Sequence, residues 1–135
     1  MPGNTAPLRM QRNGDYHQTW TIRDTGATSE EHPLGQPVDL TNYTFAMKIK
    51  AVAGASAVVL TVPQTPDPLE TGIYIEDPPA SGQITVTVKA EDMEAANLDN
   101  EQGVVVLAYD VLWTDADDIT ECIARGPFHY EPGVT

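Results

Sequence analysis

The sequence predicts an all-β fold, a single antiparallel β-sandwich of about seven or eight strands with one short connecting helix. Two features predict it. Several segments alternate apolar and polar residues with period two, the signature of a strand with one buried and one wet face. Between them lie clusters of Gly, Pro, Asn and Asp, with no regular succession of strand and long helix that would indicate a parallel sheet.

Taken in order, Asp15–Asp24 places Tyr16, Trp20 and Ile22 on one face and His17, Thr19, Thr21 and Arg23 on the other. Tyr43–Lys50 puts Tyr43, Phe45, Met47 and Ile49 inward, and in Gln83–Lys89 Ile84, Val86 and Val88 alternate with two threonines. Further strands are expected at Ala57–Val62 and Ile73–Glu76. Val104–Trp113 reads as a central strand, with Val105, Leu107, Tyr109, Val111 and Trp113 in phase. A last strand is expected over Ile119–Ala124, resuming at Phe128–Tyr130 after a break or bulge at Gly126-Pro127. Asp115–Asp118 reads as a hairpin turn whose aspartates bond their own backbone. Ala90–Asn97 has helix formers and early acids, enough for a connector of about two turns. The proline-bearing stretches 24–37 and 63–79 read as loops. The expected organisation is a flexible arm over 1–7, one domain over 8–131 and a tail over 132–135.

A chain of 135 residues buries enough surface to fold without disulfides or a structural metal, and Cys122, its only cysteine, has no intramolecular partner. The polar segment Met1–Pro7 lacks the basic and apolar regions of a signal peptide. No apolar run approaches the ~20 residues of a membrane span, so a soluble protein without membrane insertion is expected. Seven bases against twenty acids give a net charge of -13, which opposes binding to nucleic acid. Four of the bases (Arg9, Arg12, Arg23 and Lys48) fall in the first 48 residues, while the segment after Glu91 is strongly acidic. That asymmetry suggests a polar molecule docking its less acidic end onto a neighbour.

No catalytic constellation emerges. His17, His32 and His129 form no metal-binding pair, and Ser29, Ser56 and Ser81 sit in loop-like sequence without a local base. Cys122 falls in a strand and reads as a small buried hydrophobe, in an acidic stretch that raises a thiol pKa. Asp99-Asn-Glu101 and Asp115–Asp118 offer oxygen ligands but lack the spacing of an EF-hand, and no two carboxylates stand out as a glycosidase pair. Trp20 and Trp113 are in phase with apolar neighbours and read as core. No catalytic, cofactor-binding or metal residue is therefore assigned, and a non-enzymatic protein without cofactors is expected.

Three blocks carry a resemblance. They are Arg12–Arg23 (Arg-Asn-Gly-Asp-Tyr-His-Gln-Thr-Trp-Thr-Ile-Arg), Pro37–Ile49 (beginning Pro-Val-Asp-Leu-Thr-Asn-Tyr) and Val106–Asp117 (beginning Val-Leu-Ala-Tyr-Asp-Val-Leu-Trp-Thr-Asp). In this order they resemble the turn-and-strand signatures of the immunoglobulin-like β-sandwich at the N-terminus of tailed-phage upper baseplate proteins, with Asn42 where that family has glycine. The resemblance runs from about Arg9 to Tyr130. It implies an immunoglobulin-like fold and a virion structural role, as a tail or baseplate component or a capsid decoration protein. The implied partners are other virion proteins and further copies of the chain, assembled in the bacterial cytoplasm. The alternatives are a carbohydrate- or host-surface-binding module using an exposed aromatic such as Tyr74, and a hydrolase with an unrecognised carboxylate pair.

Overall fold

Phe45, Met47 and Ile49 are buried while the residues between them are only half-buried, and this two-residue rhythm organises most of the chain. The computed structural model describes residues 7–11, 14–24, 26, 29–31, 35–51, 58–95 and 105–131. The expected N-terminal arm, apart from Pro7, and the tail lie outside them, as do Ser56, Asp99 and Glu101. The strands in chain order are β1 (Leu8–Gln11), β2 (Tyr16–Thr21), β3 (Arg23–Asp24), β4 (Gln36–Pro37), β5 (Thr44–Lys50), β6 (Val58–Pro63), β7 (Gly72–Ile75), β8 (Gln83–Val88), β9 (Val105–Thr114) and β10 (Thr120–Glu131). A 3-10 turn, Pro79–Ser81, precedes β8, and one helix, α1 (Ala90–Ala95), follows it. The expected continuation of this helix to Asn97 lies outside the described residues.

The strands form a five-stranded sheet in the order β1-β10-β9-β5-β6, a three-stranded sheet β2-β8-β7 and the small ribbon β3-β4. Leu107, Tyr109, Val111 and Trp113 from β9 join Phe45, Met47 and Ile49 from β5 and Phe128 and Tyr130 from β10. These meet Tyr16, Ile73, Ile84, Val86 and Val88 of the other sheet in one hydrophobic cluster, which Met93 of α1 and Leu40 extend. The all-β expectation is met, with two sheets sharing one core. Trp113 is buried, and Trp20 packs on the cluster half-buried, as their phase predicts.

Several expectations need correction. Strand β1 was not expected, and it pairs in parallel in a fold expected to be antiparallel: Leu8 lies opposite Phe128 and Met10 opposite Tyr130. Its partner comes from the far end of the chain, so no hairpin dictates the direction, and local alternation carries no signal of it. Next, the strand expected over Asp15–Asp24 breaks at Ile22. The Ile22 N–H donates to Gly82 O, and its carbonyl accepts from Val38 N–H, transferring the chain from β2 to the β3-β4 ribbon. That ribbon lies in a stretch expected to be irregular, and with it the described strands number ten. Gly126-Pro127 does not interrupt β10, because Pro127 pairs with Ala108, just before β1 begins to flank β10. Along that stretch β10 is an edge among the described residues, where proline is tolerated. The bulge falls instead between Cys122 and Ala124, and Cys122 is half-buried there rather than buried. Finally, Thr85 and Thr87, expected on a wet face, are only 3% and 2% exposed.

Two turns are built by side chains. Asp39 accepts from the N–H and hydroxyl of Thr41 ahead of Asn42, which takes φ 69°, a conformation asparagine tolerates well. Asp115 accepts from the N–H groups of Asp117 and Ile119 and so holds the β9–β10 turn, as expected of its aspartates. Phe128 is fully buried where the two sheets meet β1. Phe128→Ala is expected to destabilise the fold by about 3–5 kcal/mol, measured by urea unfolding, whereas Val106→Ala on the exposed side of the same strand pair changes it by less than about 0.5 kcal/mol.

Candidate functional site

The burial of Thr85 and Thr87 has a local cause, and it marks a hydrogen-bonded polar site on the outer face of the three-stranded sheet. Register sets His17, Thr87 and Gly72 in one row across the three-stranded sheet, and Thr19, Thr85 and Tyr74 in the next. The loop between β6 and β7 folds over the first row. Only glycine permits this at position 72, since a Cβ there would collide with the Thr65 side chain and lie 2.7 Å from Pro63 O.

The hydroxyls beneath the loop form directed chains. Thr87 Oγ1 donates its one hydrogen to Pro68 O at 3.0 Å, so in its 2.8 Å contact with His17 Nδ1 it accepts. His17 therefore carries a proton on Nδ1. In the same way Thr85 donates to the Glu76 carboxylate and accepts from Thr19, 3.0 Å away. Beside them, Thr71 Oγ1 accepts from the Lys89 N–H and donates to Asp92. Each buried hydroxyl is thus spared a desolvation cost of about 1–3 kcal/mol.

At the open end of this network lies a depression of about 250 Å³, lined by Asp15, His17, Leu69, Thr87 and Lys89. Leu69, at the crest of the loop, is 70% exposed. The Asp15 carboxylate accepts from the N–H of Ala90, the first residue of α1, at 2.8 Å and pairs with Lys89 Nζ at 2.9 Å. The Ala90 N–H and then Lys89 hold Asp15 below the usual carboxylate range, and Asp15 in turn raises the Lys89 ammonium. Both shifts move the groups away from neutral pH, which suits a fixed ion pair better than proton transfer. Chemically, the depression offers a charge pair, an imidazole and one apolar wall.

Of the residues singled out from the sequence, His17 alone lines this depression. Tyr74 is half-buried one row away on the same face, and His129 lies on the outer side of the five-stranded sheet. His32 lies outside the described residues. Ser81 ends the 3-10 turn, and Ser29 Oγ accepts from Gln36 Nε2. Cys122 Sγ donates to Ala124 O. Among the described residues no three His, Cys, Asp or Glu side chains are arranged to hold a metal ion, and no helix is long and apolar enough to cross a membrane. Asp15, Thr71, Lys89 and Leu69 were not indicated by the sequence. The one signal available was that the outward positions of β8, Gln83, Thr85 and Thr87, carry no charge. No family model matches the chain, and no curated protein matches it.

A lowered pKa means that the Asp15 contribution to stability is complete above the ordinary value near 3.8 and is lost as pH falls through the lowered one. The raised Lys89 contribution is complete below 10.5 and is lost as pH rises through the raised value. Asp15→Asn is therefore expected to lower the melting temperature between about pH 5 and 9. The gap from the unsubstituted chain should close as the pH drops below about 4, as read by scanning calorimetry across pH.

Proposed function

We propose that this chain is a non-enzymatic structural protein of a tailed-phage virion, an immunoglobulin-like sandwich acting through protein–protein contacts in a tail, a baseplate or a capsid decoration. The observation that carries the reading is where the resembling blocks fall. Pro37–Ile49 contains the Asp39 turn and Asn42 at φ 69°, leading into β5. Val106–Asp117 covers β9 and reaches the turn held by Asp115. Within Arg12–Arg23, Tyr16–Thr21 forms β2. The family-like residues thus do conformational work at the points where strands begin and reverse, as fold signatures should. The ion-paired state of Asp15 and Lys89 favours a role in contacts over one in acid–base chemistry. Peptides of this chain are expected at fixed stoichiometry in purified phage particles by quantitative mass spectrometry. Their absence from particles, with the protein abundant in infected cells, would contradict the reading.

The depression beside Leu69 favours a second reading, a module that binds a carbohydrate or another host-surface ligand, since its ion pair and apolar wall suit a hydroxylated ring. On that reading the protein binds members of a glycan array, and Leu69→Ala or His17→Ala abolishes the signal. An array that stays blank removes it.

A further inference from the structure

Strand register gathers four of the chain's seven bases onto one surface. Lys48 and Lys50 project from the outer side of β5, Arg125 from β10 and Arg9 from β1. Among the described residues of the sheet only two acids, Asp110 and Glu131, share that side, so these residues carry a formal +2 on a chain of -13. Glu131 pairs with Arg9 at 2.8 Å and Asp110 with Lys50 at 4.0 Å, while Lys48 and Arg125, which flank Asp110 across the sheet, make no ion pair among the described residues. Between the cations lies an apolar strip of Val106, Ala108, Leu112 and Pro127, of which Val106 is 55% exposed. The sequence placed the less acidic region in the first 48 residues. Folding assembles a different set, because cross-strand pairing brings Arg125 beside Lys48 through Asp110.

The β9–β10 turn has the opposite character. Asp115, Asp117 and Asp118 crowd into four residues, and Ile119 beside them is 54% exposed. The turn extends past the last pairing, Thr114 with Thr120, so it projects from the end of the sheet. The two bonds to Asp115 Oδ1, together with the Asp118 N–H bond to Asp115 O, hold it in shape, so little order is lost on docking.

We propose that the outer face of the five-stranded sheet seats the β9–β10 turn of a second copy of this chain. Asp117 and Asp118 meet Lys48 and Arg125, and Ile119 lies on the strip around Val106. Sign favours this occupant: the turn carries three aspartates, and the row it meets sets two cations around one acid. Pairing this face with itself would set cations against cations, so a symmetric face-to-face dimer is disfavoured. Turn-to-face contact is head-to-tail, and such contacts close into rings or extend into filaments. The inference rests on the protein-contact reading and names its surface and partner.

The test uses two charge-reversed variants of the full chain. One is Lys48→Glu/Arg125→Glu, which makes the face acidic, and the other is Ala116→Lys/Asp117→Lys/Asp118→Asn, which takes the turn from a formal -3 to +1 and keeps at position 118 a residue that tolerates its positive φ. In sedimentation velocity the unsubstituted chain should associate with increasing concentration, and each variant alone should associate at least about tenfold more weakly. An equimolar mixture should regain association, because each variant's face then matches the other's turn, and that recovery also requires both to be folded. A chain that stays monomeric at all concentrations, variants that associate as the unsubstituted chain does, or a mixture that fails to recover overturns the proposal. Detection of the chain in phage particles would be unaffected by any of these, so the virion role stands or falls separately.

Discussion

The cluster shared by the two sheets is the constraint on which the rest depends. Met47, Ile49, Val62, Val111 and Phe128 from one sheet and Ile73, Ile84, Val86 and Val88 from the other are fully buried against one another. With a side-chain period of two, a slip of one residue in any of these strands would turn its apolar set to water. The core therefore fixes which side chains point outward, and both surfaces of interest are its by-products.

Those two outer surfaces solve opposite problems. On the three-stranded sheet two outward residues of β8 are the buried Thr85 and Thr87, and the proline-bearing loop lies over the Thr87 row, with the Thr87 hydroxyl bonded to Pro68 O and the Gly72 backbone leaving room. Prolines lower the entropy lost in holding such a loop in place. On the five-stranded sheet the central outward row is Lys48, Asp110 and Arg125. Two cations around one acid leave the row under-compensated within the chain. Exposed pairs contribute little to folding, so a surplus of this kind matters chiefly for what it attracts.

How much was legible in the sequence follows from the range of the interactions. The inward sets of β5, β8 and β9 were readable because alternation is local, and the Asp115 turn because its bonds span two to four residues. The parallel pairing of β1 was not, since Leu8 and Phe128 stand at opposite ends of the chain. Nor were the site contacts: His17 meets Thr87 seventy residues away, and Asp15 meets Lys89 seventy-four away. Gly126-Pro127 looked like a break because sequence alone does not tell an edge segment from a central one. The cationic face was hidden for the same reason, with Arg9, Lys48 and Arg125 joined only by register.

The central claim is that this chain works by protein contacts made with its outer surfaces. Zero-length carbodiimide coupling, which joins a lysine amine directly to a carboxylate, reads those contacts in an equimolar mixture of unlabelled and ¹⁵N-labelled protein. The account predicts mixed-isotope peptides joining Lys48 or Lys50 to Asp117 or Asp118. Crosslinks found only within single copies, such as Lys89 to Asp15, would contradict it.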